Sequence, residues 1–306
     1  MLKKALVLAI ALSSLSLSVQ AQEREESMVM SAGDAFRRNW NVTLFSIASV
    51  ENMTYNRKAT DTRSIESYNY FGFNYRIDSD SRFSVRIPFL YNTAGQNSYA
   101  DEMPSKVDLQ DVHFAYSKYD LGYIGDIDLS GNIKIYMPTS EYAQNSKMIT
   151  KVRLEAYFEY AIGRFSSITW AVKPDIFWQR QTAFADPDTP RFDDGEFRRD
   201  PRSTTKQYGL EHYLEAVIDV NKYISIKPRV GFVESWYYSS DVEDLEGRHV
   251  TRLRSGIGIG IRPMRGLNFT LGIQNQSTLA AYRGKDVTFW EPENTQYSLM
   301  TNAYVF

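Results

Sequence analysis

Apolar and polar side chains alternate along much of this chain, in stretches of about ten residues, as they do in a β-strand with two different faces. In the stretch 82–92, Phe83 and Ile87 fall on one face, and Arg82 and Arg86 fall on the other. Similar stretches cover 126–137, 151–162 and 167–179, with weaker ones near 40–52, 65–77, 107–118, 206–219, 223–237, 249–262, 267–277 and 295–306. No stretch stands out with the period of a helix, so the pattern predicts an all-β chain of about twelve strands.

The connections between the predicted strands alternate between short and long. The short ones are 78–81, 120–125, 163–166, 221–222 and 262–266, and the long ones are 53–64, 93–106, 138–148, 180–205, 238–248 and 278–294. Tight periplasmic turns and longer external loops are typical of outer-membrane barrels. We therefore predict a transmembrane, antiparallel, up-and-down β-barrel over residues 40–306, with both ends of the chain on the periplasmic side.

The N-terminus has the layout of a secretory signal peptide. Lys3 and Lys4 precede an apolar run, 5–17, and Val19 and Ala21 supply small residues before a cleavage site. We expect residues 1–21 to be removed by cleavage after Ala21 and residues 22–39 to form an N-terminal periplasmic segment. No later apolar run is long enough for a transmembrane helix. An exported chain of this kind is either soluble or crosses a membrane as a closed barrel.

Composition narrows the function further. The chain has no cysteine, which excludes disulfides, thiol catalysis and a lipoprotein anchor. Its formal net charge of −2 shows no basic excess, so a nucleic-acid partner is not expected. The 21 tyrosines and 17 phenylalanines suit strands and the aromatic girdles of membrane barrels.

The last residues predict how the chain reaches its membrane. Tyr304 and Phe306 end the last predicted strand, and a terminal phenylalanine is typical of the signal that the barrel-insertion machinery reads. Asn302 interrupts the alternation there. We expect the cell outer membrane as the location, and its lipid, lipopolysaccharide and insertion machinery as partners.

The polar faces of the predicted strands carry many full charges, whereas the apolar faces carry almost none. In a membrane barrel the apolar faces point at lipid. We therefore expect these side chains to line the lumen: Arg82, Arg86, Lys134, Lys151, Arg153, Glu155, Glu159, Lys173, Asp175, Glu211, Glu215, Lys227, Arg229, Arg252 and Arg254. A barrel of about twelve strands lies between barrels of about 8 strands, whose interior is filled by side chains, and barrels of about 16 strands, which leave an open channel. This size favours a narrow polar channel over a packed plug. A register error of one residue would exchange the two faces.

Two neighbouring segments resemble a known family. The first, 108–119, reads DLQDVHFAYSKY, and the second, 129–140, reads LSGNIKIYMPTS. In the first segment a strand opens with Asp and has Lys-Tyr near its end. In the second a strand closes in Pro-Thr before an external loop. This pattern resembles that of a family of outer-membrane transporters. That family is associated with the meta-pathway of phenol and aromatic degradation. The resemblance implies a barrel that passes small solutes, with hydrophobic or aromatic molecules among the candidates.

Two alternatives to a channel stay open. One is a structural or surface-display barrel with a salt-bridged, closed lumen. The other is an outer-membrane lipid hydrolase, which needs a nucleophile within reach of a base. None of the three histidines, His113, His212 and His249, is followed two residues later by serine on the same strand face, so no catalytic site is expected. We find no phosphate loop, zinc signature or nucleotide motif and expect no cofactor.

The longest predicted loop, 180–205, contains several acidic residues, among them Asp186, Asp193 and Asp200. It could narrow the pore as a constriction loop, or bind Ca²⁺ through carboxylate oxygens. The spacing matches no recognised calcium loop, and long loops tend to be exposed. We therefore favour a solvated surface loop.

Overall fold

A computed structural model of the chain describes residues 39–51, 65–96, 102–185, 190–193, 196–199, 202–239, 249–279, 290 and 294–305. The predicted signal peptide, 1–21, lies outside the described residues, as does the predicted segment 22–39 apart from Asn39. Phe306, one half of the predicted insertion signal, lies outside them as well. These three assignments stay predictions.

Within the described residues, twelve long strands build the fold, and each pairs antiparallel with its neighbours in the chain. They are β1 (Trp40–Glu51), β2 (Glu66–Arg76), β3 (Ser81–Asn92), β4 (His113–Ile124), β5 (Ile127–Tyr136), β6 (Met148–Ala161), β7 (Ser166–Gln179), β8 (Lys206–Asp219), β9 (Ile224–Tyr237), β10 (His249–Met264), β11 (Leu267–Thr278) and β12 (Thr295–Val305). β1 also pairs with β12, from Val42 opposite Val305 to Glu51 opposite Gln296, so the sheet closes on itself. The prediction of an all-β, up-and-down antiparallel barrel of twelve strands is confirmed.

The fourth strand is later in the chain than the alternation predicted. The strand predicted near 107–118 spans 113–124, so its bounds are shifted by six residues, and the predicted turn, 120–125, is wrong except at Gly125. The register between β4 and β5 shifts between Lys118 and Gly122, so the strand continues past the point where the alternation breaks. Ahead of it, Lys106–Leu109 forms a separate short strand that pairs with the end of β3.

The connections lie at two ends of the barrel, as predicted. Those at one end, the short-turn end, are 77–80, 125–126, 162–165, 220–223 and 265–266. Those at the other, the long-loop end, are 52–65, 93–112, 137–147, 180–205, 238–248 and 279–294. One of them contains helix α1 (Glu141–Asn145), whose N-cap Ser140 accepts a hydrogen bond from the N–H of Ala143. No helix among the described residues is long and apolar enough to cross a membrane.

The two faces of each strand meet different surroundings. Apolar side chains of one face are exposed, such as Ile133 at 47% and Leu214 at 50%. On the other face even full charges are buried, such as Arg82 at 3% and Lys134 at 4%. A single closed sheet buries side chains mainly in its interior, so the polar face turns inward and the apolar face outward. A water-soluble barrel would have the reverse arrangement, whereas a membrane barrel has this one.

Candidate functional site

The charged side chains that the sequence predicted for the lumen lie on the inward face of the barrel; we call this set the charged wall. Its buried members are Arg82, Arg86, Lys134, Glu155, Lys173, Asp175, Glu215, Lys227 and Arg229. Its partly exposed members are Lys151, Arg153, Glu159, Glu211 and Arg254, and Arg252 is exposed. Arginines and lysines are twice as numerous as carboxylates in this set.

Glu155 lies at the centre of a buried hydrogen-bonded cluster. Its Oε1 is 2.8 Å from Lys134 Nζ, and its Oε2 accepts hydrogen bonds from Asn132 Nδ2 at 2.9 Å and from the Tyr157 hydroxyl at 2.7 Å. The Lys134 and Glu155 side chains are only 6% and 1% exposed. Removing a carboxylate from water costs several kcal/mol unless its oxygens find donors. These three donors offset that cost.

Arg153 and Asp175 form a second pair, between β6 and β7. Arg153 Nε is 2.6 Å from Asp175 Oδ1, and Nη2 donates to Oδ2 at 2.7 Å. Such bidentate contact is the strong geometry for an ion pair between a guanidinium and a carboxylate. Because both carboxylate oxygens are engaged, the charge of Asp175 is compensated mainly by this arginine.

Glu211 on β8 joins arginines from two other strands. Its Oε1 lies 2.7 Å from Arg229 Nη2 on β9 and 3.4 Å from Arg254 Nη1 on β10. Arg254 Nη2 also donates to Gln276 Oε1 on β11, at 2.8 Å. The network therefore ties four successive strands together along the inner wall.

Gly231 leaves room for this network. It lies opposite Tyr213 on one side and opposite Arg254 on the other. A β-carbon at this position would overlap Tyr213. Because there is none, the guanidinium of Arg229 can lie over Tyr213, with Cζ 3.4 Å from the ring centroid.

Inward-facing tyrosines also hold the cations, and the sequence analysis did not single them out. Lys173 Nζ lies 4.9 Å from the Tyr213 ring centroid and 5.3 Å from that of Tyr157. Lys151 Nζ lies 3.6 Å from the ring centroid of Tyr136. Each of these tyrosines follows a member of the charged wall by two residues on the same strand. The alternation itself therefore held the signal that could have found them.

A different part of the inner wall, on β12, β1 and β2, packs through apolar contacts. Phe45, Ile47, Tyr70 and Met300 form a buried cluster, which we call the apolar patch. The rings of Phe45 and Tyr70 stack with their centroids 4.6 Å apart. Arg86 Cζ lies 5.0 Å from the Tyr70 ring, so the apolar patch borders the charged wall at β3.

Two of the three histidines lie on the outward face, around Glu234. Nε2 of His249 is 3.0 Å from Glu234 Oε2, and Nε2 of His212 is 3.7 Å from Oε1. Thr251 Oγ1 lies 3.5 Å from the same Nε2 of His249. A hydrolytic triad uses the two different ring nitrogens for the orienting acid and the nucleophile. This arrangement does not provide that geometry.

The third histidine, His113, is buried inside the barrel. Its ring stacks on Tyr136 with the centroids 4.5 Å apart. Nδ1 lies 3.3 Å from the backbone oxygen of Asp111. These contacts hold the ring as a packed wall residue.

The structure offers no metal site within the residues that it describes. Most acidic positions of loop 180–205 fall outside them, including Asp186 and Asp200, so the calcium and constriction hypotheses are untested. The described parts of that loop form two short ladders that are separate from the barrel sheet, because 183–185 pairs with 202–204, and 190–193 pairs with 196–199.

No family model and no curated protein matches this sequence. Among solved structures, an outer membrane channel from Pseudomonas putida F1 is similar at 9% identity with a TM-score of 0.53, covering 89% of this chain and 98% of that one. The NanC porin covers 87% of this chain and 100% of its own at 7% identity, with a TM-score of 0.43. The channel DcaP of Acinetobacter baumannii covers 87% and 95% at 9% identity, with a TM-score of 0.34. At these identities the first similarity shows a shared fold, and the two weaker ones add no argument.

The charged wall presents fixed charges of both signs to the interior of the barrel. Its carboxylates Glu155, Asp175 and Glu211 are engaged by lysine or arginine, and its cations exceed its carboxylates in number. A pore wall lined with one prevailing sign of charge selects ions through its local field.

Proposed function

We propose that this protein is a narrow channel of the outer membrane that passes small solutes through the barrel. The observation that carries the proposal is the charged wall: full charges of ten cations and five carboxylates face the interior of a closed barrel whose outer face is apolar. Soluble barrels bury apolar side chains instead. A polar interior inside an apolar exterior suits passage of water-soluble material through lipid.

The outward face supports the membrane location. Its exposed aliphatic and aromatic side chains suit contact with acyl chains, and rings such as Trp40 and Trp178 suit the interface with head groups. We propose that the chain is exported by residues 1–21, cleaved after Ala21, and inserted by the barrel-insertion machinery through Tyr304 and Phe306. Its surroundings would then be outer-membrane lipid and lipopolysaccharide.

The resemblance of 108–119 and 129–140 to transporters associated with phenol and aromatic degradation belongs to this proposal. The two segments overlap β4 and β5, and β5 carries Lys134 of the charged wall. They support a transport barrel more directly than any particular solute. Hydrophobic or aromatic solutes are the candidates that the resemblance implies.

A second candidate is a structural or surface-display barrel with a closed lumen. Its specific support is the tight burial of the ion pairs, since the side chains of Lys134 and Glu155 are 6% and 1% exposed. Opposite charges that face each other across a narrow barrel can fill it. A hydrolase receives no such support, because Glu234 and Thr251 approach the same nitrogen of His249.

Single-channel recording in planar bilayers separates the two candidates. The protein would first be shown to be folded by its heat-modifiable migration in gels. Discrete conductance steps, with an ion selectivity that changes in Glu155→Gln and Arg153→Gln, would support the channel. A folded barrel that stays silent would refute the channel and favour the structural barrel.

A further inference from the structure

Two lysines at the long-loop end of the barrel interior differ from the rest of the inner wall. Lys151 on β6 and Lys206 at the start of β8 are partly exposed, whereas Lys134, Lys173 and Lys227 are buried. A solute that enters from the long-loop end therefore reaches the first two before the others.

Aromatic rings position both ammonium groups. Lys151 Nζ lies 3.6 Å from the ring centroid of Tyr136 and 5.7 Å from that of Phe177. Lys206 Nζ lies 5.3 Å from the same Phe177 ring. A ring face attracts a cation through its quadrupole but carries no net charge. The rings therefore fix the two lysines without neutralising them.

Two of the nearby carboxylates are committed to arginines, and a third, Asp111, accepts a hydrogen bond from the backbone N–H of Ser140. Asp175 gives both of its oxygens to Arg153, and Glu211 binds Arg229 and Arg254. Within the part of the chain that the structure describes, neither Lys151 nor Lys206 makes an ion pair. The two lysines thus retain their positive field.

Gly209 provides the space that Lys206 occupies. It lies opposite Asp175 in the ladder between β7 and β8. A β-carbon at Gly209 would lie 2.8 Å from Lys206 Nζ and 3.3 Å from Asp175 Cβ. Lys206 folds over this glycine toward Phe177. An alanine there would displace the flexible end of Lys206 and leave the backbone in place.

We infer that Lys151 and Lys206 form an anion-binding subsite at the long-loop mouth, for small solutes that carry a carboxylate or phosphate group. Lysine ammonium groups act as compact point charges and impose no planar geometry on the anion. The exposed Arg252, inward-facing on β10, adds positive charge at the same end. The inference rests on the proposed channel function and gives that channel a preference for anions.

The main test is the chloride-to-potassium permeability ratio, from reversal potentials across bilayers under a KCl gradient. We expect a ratio above one for the unchanged chain and a decrease of about fivefold in Lys151→Gln/Lys206→Gln, because two nearby charges are lost. Gly209→Ala should shift the ratio in the same direction by less. Lys222→Gln, in the exposed turn between β8 and β9, removes one lysine charge at the short-turn end and should leave the ratio unchanged.

A binding measurement separates failure of the subsite from failure of the channel. The NMR signals of inorganic phosphate and of acetate are measured with the folded protein in detergent. They should broaden with the unchanged chain and broaden much less with the double variant. Broadening by only one of the two assigns the subsite to that anion class. A conducting barrel that prefers potassium, or a double variant with unchanged selectivity, overturns the subsite but leaves the channel. If the folded barrel does not conduct, the channel proposal is refuted. Equal broadening by the unchanged chain and the double variant then refutes the subsite as well.

Discussion

The two sides of the barrel interior are filled in different ways. On β5 to β10 the wall is built from ion pairs and cations over tyrosine rings, centred on Glu155, Asp175 and Glu211. On β11, β12 and β1 the inward residues are amides, hydroxyls and apolar side chains, and Phe45 and Met300 belong to a buried cluster. The same alternating strand pattern therefore supports two kinds of packing.

We expect stability and selectivity to be divided between the two sides. Apolar packing gains free energy at each contact, whereas a buried ion pair gains little beyond its desolvation cost. A charged wall of this size is a poor way to stabilise a barrel but an effective way to set the field inside it. We expect the apolar side to respond to mutation mainly in stability, and the charged side in both stability and ion selectivity.

The largest expected effect is on the apolar side. Phe45→Ala should lower the free energy of unfolding by about 4 kcal/mol, because a buried ring is lost and a cavity remains beside Tyr70. Urea unfolding in detergent micelles, followed by tryptophan fluorescence, measures it. Ion selectivity should not change. A loss of less than 1 kcal/mol would show that the patch is loosely packed, and the comparison would fail on this side.

The next effect is on the charged side. Glu211→Ala should lower the free energy of unfolding by about 3 kcal/mol, because Arg229 loses its carboxylate. This is near the lower end for a broken buried ion pair, since Glu211 is partly exposed. The matched double variant Glu211→Ala/Arg254→Gln should recover part of that loss, because one of the two repelling arginines is removed. Urea unfolding in detergent micelles measures the stability of both variants. Equal stability of the single and double variants would argue against a shared network.

The smallest effect belongs to the neutral polar contacts. Gln274 Nε2 donates to Gln296 Oε1 at 2.9 Å, between β11 and β12. Gln274→Leu should cost about 1 kcal/mol, the usual contribution of one neutral hydrogen bond. It should leave the permeability ratio unchanged, in contrast to Lys151→Gln/Lys206→Gln. A large change in selectivity from this neutral substitution would remove the distinction between the two sides.

The strands were predictable because alternation is a local property. Phe83 and Arg82 reveal their opposite faces without reference to any other strand, and the rhythm of short and long connections gives the topology. The end of β4 was not predictable in this way. Gly122 lies at an irregularity in the ladder, and a bulge depends on the partner strand, which the local pattern does not contain.

The inward position of the charged residues was predictable one residue at a time, but their contacts with one another were not. Charged residues identified the inner face, yet tyrosine suits either face of a membrane barrel, so Tyr157 and Tyr213 were missed. The contact from Glu211 on β8 to Arg254 on β10 passes over β9, where Gly231 lies opposite Arg254. Such contacts require the register of three strands at once. Lys206 was missed because it begins its strand directly after the longest loop.

The proposed channel requires that the apolar faces of the strands meet lipid and that the polar faces meet the interior of the barrel. Because the chain has no cysteine, single cysteines can carry a fluorescent probe without background. On β5, Ile133→Cys lies on the outward face and Ser130→Cys on the inward face. In vesicles containing lipids with brominated acyl chains, we expect strong quenching of the probe at 133 and little quenching at 130. Equal quenching at both positions, or stronger quenching at 130, would contradict it.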